Sequence, residues 1–199
     1  LGGVAMADAA KGSLVYVAGS WASESQTVVA VDRNGHSSSL PGIPHDKYRT
    51  IRVSPDGTRL ALSTYHSVSI YDLARETPIR LATGPTRDLG AIWTPDGQRI
   101  IFTSSREGED FAQLFARRAD GTGVVERVLE RGKNLVDLAP DGWSKDGRLL
   151  FSEVQPKIQC AIGQVSLERP SDVTMLVQDE FCNTGASLSP NGRWIGYNR

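Results

Sequence analysis

One stretch of nine residues, SPDGTRLAL at positions 54–62, sets the pattern of the whole chain. It joins a tight turn to an apolar segment, and a near copy, TPDGQRIIF, follows at positions 94–102. Two further copies are SKDGRLLF at positions 144–151 and SPNGRWIGY at positions 189–197. The turn glycines are successively 40, 50 and 45 residues apart: Gly57, Gly97, Gly147 and Gly192. A period of this length predicts an array of stacked supersecondary units.

The residues between two such turns predict four antiparallel strands in each repeat. The clearest period runs from Leu89 to Leu129, where strand-like segments alternate with turns such as the one at Asp120 and Gly121. Asp-Gly between apolar segments favours a tight hairpin, because Gly adopts positive φ without steric cost and Asp tolerates it. The segments after the turns are apolar on both faces, which is typical of strands covered on both sides. Repeated four-stranded antiparallel units predict the blades of a β-propeller.

We therefore expect one all-β domain over residues 1–199, with four complete blades and half of a fifth. The complete blades are predicted at approximately 3–41, 50–83, 89–130 and 138–178. The first two strands of the fifth are predicted at 185–199, which leaves the ring incomplete. Because the ring is incomplete, we expect a fragment or a natural truncation. Open strand edges pair with other chains, so we also expect self-association through the open blade edges.

The repeats resemble those of TolB-type, WD-repeat-like propellers. The resemblance lies in Ser-Pro-Asp-Gly before an apolar segment, in the residues from Ile70 to Asp72, and in those from Arg80 to Thr83. Segments 12–17, 31–35 and 70–75 look like the propellers attached to bacterial serine/threonine kinases. The resemblance covers nearly the whole chain. It implies a bacterial, non-enzymatic scaffold for protein or peptide binding or for sensing, part of a larger protein and located in the periplasm or outside the cell.

Composition and motifs exclude several other classes of protein. A net charge of −1 among 199 residues predicts no nucleic-acid partner. No apolar run approaches the roughly 20 residues of a spanning helix, so we expect no membrane insertion by this segment. The chain contains no Gly-x-Ser-x-Gly elbow, no phosphate-binding Gly-rich loop and no His-Glu-x-x-His. We therefore expect no catalytic residues, no cofactor and no metal.

Candidate binding residues lie in the loops of one predicted face. When the innermost strand of an up-and-down blade comes first, the linkers between blades and the loops between second and third strands emerge together. Loops on a rigid scaffold are where binding residues concentrate, and aromatic residues and arginine often carry the binding energy. For each residue the alternative is an ordinary solvated loop position. The candidates are Trp21, His45, Tyr48, Arg49, Arg87, Asp88, Phe111, Asp137 and Asn183.

Two other functions are compatible with a propeller. The chain would gate substrate entry if it were the accessory domain of a prolyl-oligopeptidase-like hydrolase, whose nucleophile lies on a separate domain. It would be an enzyme if carboxylates such as Asp88 and Asp137 held a metal in the central channel. A hydrolase elbow in adjoining sequence would favour the first alternative, and convergent oxygen ligands would favour the second.

The two cysteines fall on the same predicted face as the candidate residues. Cys160 ends the loop between the second and third strands of blade four, and Cys182 lies in the linker that follows. They are a candidate disulfide, because the resemblance implies an extracytoplasmic protein, where such bonds persist. The bond requires Cα atoms about 4.4 to 6.8 Å apart, and two free thiols are the alternative. Neither cysteine belongs to a Cys-x-x-Cys pair, so metal binding is not expected.

Overall fold

All regular secondary structure in the described part of the chain is β-strand. The structure, a computed structural model, describes residues 6–8, 14–18, 26–83, 87–106, 112–132, 135–156, 159–189 and 191–199. In chain order the strands are β1 (Met6–Asp8), β2 (Leu14–Ala18), β3 (Thr27–Val31), β4 (Ser37–Ser39), β5 (Thr50–Val53), β6 (Arg59–Ser63), β7 (Ser67–Asp72), β8 (Thr77–Thr83), β9 (Asp88–Trp93), β10 (Arg99–Ser104), β11 (Gln113–Arg118), β12 (Glu126–Leu129), β13 (Asp137–Trp143), β14 (Leu149–Gln155), β15 (Gln159–Ser166), β16 (Arg169–Gln178), β17 (Thr184–Leu188) and β18 (Ile195–Asn198). Among these residues no helix is long and apolar enough to cross a membrane.

The strands form four sheets of four and one sheet of two. Within each sheet the spatial order of the strands is their order along the chain, so every connection is a simple hairpin. We call the four-stranded sheets blades one to four and the pair β17–β18 the fifth sheet. The predicted fold class is confirmed: the chain is all-β, with four-stranded antiparallel blades and an incomplete propeller.

The described residues divide into two compact units. The first comprises those within Leu1–Ile100 and Arg117–Gly123, and the second those within Ile101–Ala116 and Val124–Arg199. Each unit has its own buried apolar residues, so each is described by itself below.

Among the described residues, four of the turns that join the first two strands of a blade or of the fifth sheet, called corners here, share one hydroxyl-to-acceptor hydrogen bond. In the corner between β5 and β6, Ser54 Oγ donates to Asp56 Oδ1 at 2.5 Å, and the Thr58 amide donates to the same oxygen at 3.1 Å. The Arg59 amide donates to Ser54 Oγ at 2.9 Å. Gly57 has a φ of 74°, in the left-handed region where a β-branched residue is strained. The corner therefore needs a hydroxyl, a short acceptor and a glycine in that order.

The same hydroxyl-to-acceptor hydrogen bond occurs in three more corners. Its length is 2.6 Å from Thr94 to Asp96, 2.5 Å from Ser144 to Asp146, and 2.8 Å from Ser189 to Asn191. The recurring sequence motif thus corresponds to a recurring local structure.

The core of the first unit lies between its blades. Ile51 of β5 and Leu60 and Leu62 of β6 are at most 2% exposed, and they pack in one cluster with Val15 and Val17 of β2. Strands β5 and β6 also contact β9 of the following blade. Strand β6 is therefore covered on both faces, as its apolar sequence predicts.

Trp93, at the end of β9, joins two blades of the first unit. Its side chain is buried, and its Nε1 donates to the Arg52 carbonyl at 3.0 Å. The guanidinium carbon of Arg59 lies 4.7 Å from the centre of the indole ring, and Arg59 Nη2 donates to the Gly97 carbonyl at 2.9 Å. Trp93 therefore packs between the blades with a hydrogen bond at the edge of its ring and a guanidinium over the ring face.

In the second unit, buried hydroxyl groups join neighbouring blades. Thr103 Oγ1 donates to the Leu138 carbonyl at 2.7 Å. Ser152 Oγ accepts the Gly185 amide at 3.1 Å and donates to Asp141 Oδ2 at 2.5 Å. Because buried polar groups are costly unless they are paired, these bonds specify how the sheets of this unit align.

Strand β18 differs from the corresponding strands of the blades. The sequence predicts that the segment from Trp194 to Tyr197 is covered on both faces, but Trp194 is 71% exposed and Tyr197 is 40% exposed. Strand β17 packs against β13, β14 and β15, whereas no described strand pairs with the outer edge of β18. The prediction is wrong for this strand, because burial requires a covering sheet as well as an apolar sequence.

Candidate functional site

In each of the four blades, the linker that leads to the next sheet is bonded to residues at or just before the start of the third strand. In blade one, Gln26 and Asp46 exchange backbone hydrogen bonds of 3.1 and 3.3 Å. In blade two, the Asp88 amide donates to the Tyr65 carbonyl at 3.3 Å, and Asp88 forms a parallel bridge with His66. Both contacts belong to the first unit and use only backbone groups.

Blades three and four fasten their linkers with side chains. Gln113 Oε1 accepts the Arg131 amide at 2.9 Å, and Gln113 Nε2 donates to the Arg131 carbonyl at 3.3 Å. A disulfide joins Cys160 to Cys182, with Cα atoms 4.2 Å apart, at a parallel bridge between the same two residues. We call these four contacts linker clips, and the side of each blade that carries its clip the linker side.

The clip of blade two brings an arginine and an aromatic ring together at the surface. The guanidinium carbon of Arg49 lies 4.4 Å from the centre of the Tyr65 ring, and Tyr65 is 40% exposed. The Arg49 amide donates to the Ser63 carbonyl at 2.8 Å, and Tyr65 accepts the Asp88 amide. Arg49 was a predicted candidate, but Tyr65 was missed, although its position between β6 and β7 places it in the loop on the linker side.

His45 and Tyr48 occupy the first linker and have different surroundings. Tyr48 is partly buried, and its hydroxyl donates to the Pro44 carbonyl at 2.5 Å. Burial, and then the charge of Asp46, raise the pKa of Tyr48 to about 12, so the hydroxyl stays a neutral donor. His45 is exposed, with Nδ1 3.3 Å from Thr27 Oγ1. Tyr48 therefore shapes the linker, whereas His45 is accessible to a partner.

Arg87 and Asp88 are neighbours in sequence but differ in exposure. Arg87 is exposed, whereas Asp88 is fully buried. A buried carboxylate in a linker clip does not face solvent. Asp88 therefore positions Tyr65 through the backbone, and Arg87 is the member of this pair that a partner can reach.

In the second unit, Asn183 is part of the linker rather than of its surface. Asn183 is fully buried, and its Nδ2 donates to Asp179 Oδ1 at 2.6 Å and to the Phe181 carbonyl at 3.4 Å. Asp137, at the start of β13, is partly buried, and its Oδ1 accepts the Leu138 amide at 2.9 Å. Both predicted residues therefore order the backbone around them.

A second arginine-aromatic pair lies next to the disulfide clip. The guanidinium carbon of Arg199 is 3.5 Å from the centre of the Phe181 ring, and Phe181 is 41% exposed. The Phe181 amide donates to Asp179 Oδ1 at 2.9 Å. Sequence reasoning missed Phe181, although an aromatic residue directly before Cys182 is a usable signal.

The buried carboxylate of Glu153 is fully paired. Glu153 Oε2 accepts from Arg131 Nε at 2.8 Å, and Oε1 accepts from Gln155 Nε2 at 3.0 Å. Its side chain is only 3% exposed, whereas that of Arg131 is 28% exposed. A carboxylate held by these two donors supports the linker.

Two predicted candidates, Trp21 and Phe111, lie outside the described residues. Within the described ranges, no group of three or more His, Cys, Asp or Glu is placed to hold a metal ion. The described part of the chain therefore offers the channel-metal hypothesis no ligand set.

Antiparallel blades, Asp-Gly corners and clipped linkers define a β-propeller repeat protein. The sequence profile of the TolB beta propeller domain matches residues 47–199, which is more than half of the chain. The chain belongs to the TolB β-propeller domain family.

Known proteins with similar sequence or structure are longer than this chain. The Tol-Pal system protein TolB of Wolinella succinogenes is 33% identical over 86 residues, which are 41% of this chain and 20% of that protein. The crystal structure of TolB from Acinetobacter baumannii has a TM-score of 0.74 at 20% identity, over 98% of this chain and 48% of that one. A structure from an analysis of two prolyl endopeptidases has a TM-score of 0.62 at 18% identity, over 92% and 30%. This chain thus spans less than half the length of each, and the two structures share its fold.

Proposed function

We propose that the chain is a non-catalytic scaffold that binds a protein or peptide on the linker side of its blades. The observation that carries this proposal is the exposed pair of Arg49 and Tyr65. Arginine and tyrosine are enriched among the residues that dominate binding energies. Backbone hydrogen bonds to Ser63 and Asp88 hold this pair before any partner arrives, which lowers the entropy lost on binding.

The pair of Phe181 and Arg199 supports the same function in the second unit. A disulfide and a carboxylate fix the linker on which Phe181 lies, so this ring is also presented in an ordered setting. Two exposed arginine-aromatic pairs, each beside a linker clip, favour recognition of a partner by the linker side.

The family relationship is consistent with a partner. The relative from Wolinella succinogenes is named a Tol-Pal system protein, which describes a component of a multi-protein system. By analogy we infer that this chain also acts with other proteins, as part of a longer polypeptide. A sensory role, such as that of propellers attached to kinases, is one form of this proposal.

Gating of a hydrolase is the second candidate. It rests on the similarity to a prolyl endopeptidase structure, which at 18% identity is a similarity of fold. Gating requires a channel of suitable width and an attached hydrolase domain, whereas binding requires only an ordered, exposed patch. The two arginine-aromatic pairs therefore favour the binding function.

Selection of peptides from a random displayed library tests the proposal. Peptides that bind the wild-type chain are measured against an Arg49→Ala/Tyr65→Ala variant and against Phe181→Ala. The matched control is Arg75→Ala, because Arg75 is an exposed arginine in the turn between β7 and β8, at the opposite end of blade two. We expect at least one pair variant to lose tenfold or more in affinity while the control binds normally. Selected peptides that bind all variants equally would contradict the proposal.

A further inference from the structure

A small groove lies between the first linker and the face of blade two. Its volume is 280 Å³, and the linker wall includes Ile43, Pro44 and Tyr48. Strand β4 of blade one has three residues, whereas β8 of blade two has seven. The β8 residues from Thr77 to Arg80 are exposed, and the linker forms a wall beside this part of blade two. We call this feature the linker groove.

The floor of the linker groove consists of two cross-strand rows. In the first row, Leu62, Ser69 and Arg80 are register partners on β6, β7 and β8. In the next row, Tyr71 is paired with Pro78. Register partners project to the same face of a sheet with Cβ atoms about 5 Å apart. The Arg80 side chain therefore emerges beside the Ser69 hydroxyl, and Pro78 is the exposed apolar residue of the next row.

The wall of the linker groove is fixed by the two tyrosines that line it. The Tyr71 hydroxyl donates to the Pro41 carbonyl, and the Tyr48 hydroxyl donates to the Pro44 carbonyl. The first bond holds the linker against the sheet and the second fixes the conformation of the linker itself, so a ligand does not have to order it.

The linker groove is lined by charges of both signs. Arg80 is exposed, and within the described residues it forms no ion pair and Ser69 forms no side-chain hydrogen bond. Asp46 lines the groove from the linker. A free guanidinium next to a hydroxyl matches a carboxylate, because arginine donates two parallel hydrogen bonds to that group. Asp46 in the same lining disfavours a second negative charge on the ligand.

We propose that the linker groove binds the free C-terminal carboxylate of a peptide, with the last apolar side chain against the exposed Pro44 and Pro78. The volume supports one terminal residue, because 280 Å³ falls just below the roughly 300 Å³ at which small-molecule sites begin. The groove contains neither Arg49 nor Tyr65, so this site goes beyond the proposed linker-side patch and does not depend on it.

The test compares a tripeptide acid with its amide. Acetyl-Gly-Gly-Leu with a free carboxylate and the same peptide with a C-terminal amide are titrated into the isotopically labelled chain, and NMR shifts report binding. We expect the acid to bind at least tenfold more tightly than the amide. We further expect Arg80→Met to remove this preference and Arg75→Met, at the other end of the blade, to retain it.

Three results would overturn the proposal. They are equal affinity for acid and amide, no binding of either at about 10 mM, and an acid preference that persists in Arg80→Met. The Arg49→Ala/Tyr65→Ala variant separates this site from the linker-side patch. If the groove acts independently, that variant still binds the peptide acid more tightly than the amide, even if it no longer binds the peptides selected from the displayed library. If the variant loses both the acid preference and the binding of the selected peptides, the groove assignment is refuted.

Discussion

The corners and the linker clips lie at opposite ends of the blades and are built by different rules. Each of the four corners that the structure describes uses a hydroxyl residue, then Asp or Asn, then Gly, with the same hydroxyl-to-acceptor hydrogen bond. The clips use backbone bonds in blades one and two, an amide side chain in blade three and a disulfide in blade four. A turn that needs positive φ restricts its residues, whereas two adjacent segments can be joined by any compatible chemistry.

Removing the disulfide clip is expected to have the largest effect. Cys160→Ala/Cys182→Ala opens a loop with a sequence separation of 22 and should lower the free energy of unfolding by about 2 to 4 kcal/mol. Urea unfolding of the oxidised wild type and the double variant measures the loss. A reductant should lower the wild-type midpoint and leave that of the variant unchanged. If the double variant kept the wild-type midpoint, the covalent clip would be dispensable and the four clips would be equivalent in strength.

A β-branched residue in a corner should have the next largest effect. Gly57→Val places valine at a φ of 74° and should cost about 1 to 3 kcal/mol. An added Cβ meets no atom within 4 Å, so the backbone conformation alone is tested. Gly57→Asn is the matched control, because asparagine tolerates the left-handed region better, and it should lose less stability. Equal thermal melting points for the valine and asparagine variants would contradict the strict residue rule of the corners.

The contrast between corners and clips also explains what the sequence could predict. The corners predict the β-propeller, because their glycines and hydroxyl residues repeat at fixed positions. Topology predicts that Cys160 and Cys182 lie on the same side of blade four, but it leaves open whether the linker approaches within bonding distance. Gln113 could not be recognised, because its role depends on backbone positions in the linker opposite it. The exposure of Trp194 was mispredicted because the pattern of one strand does not show which sheets cover it.

Breaking the amide clip should have a smaller effect than either change above. Gln113→Leu removes both hydrogen bonds to the Arg131 backbone and should lower the free energy of unfolding by about 1 kcal/mol. A hydrogen bond typically contributes about 0.5 to 1.5 kcal/mol net, and burial of the leucine side chain offsets part of the loss. Hydrogen exchange should show reduced protection at the Arg131 amide. Gln98→Leu, at an exposed glutamine in the corner of the same blade, is the control and should change neither quantity. Unchanged exchange at Arg131 in the Gln113 variant would show that this clip does not hold the linker.

Acid should weaken the corners gradually, and this is the smallest effect. Hydrogen bonds from the Ser54 hydroxyl and then the Thr58 amide lower the pKa of Asp56 to about 2, and hydroxyl groups likewise lower the pKa values of Asp96 and Asp146. These values lie below the roughly 3.9 of an unfolded aspartate. The stabilisation is therefore complete above about pH 4 and is lost as the pH falls through the folded-state pKa.

The corner of the fifth sheet, between β17 and β18, supplies the comparison that makes the acid test specific. Asn191 accepts from the Ser189 hydroxyl at 2.8 Å and from the Arg193 amide at 3.1 Å, without a titratable group. Asp56→Asn should therefore fold normally at pH 7 and show a smaller fall in urea midpoint than the wild type between about pH 4 and pH 2. If Asp56→Asn loses stability with acid as steeply as the wild type, Asp56 does not contribute to the pH dependence. The corners would then be alike in electrostatics as well as in geometry, because a carboxylate and an amide would serve equally well at every pH.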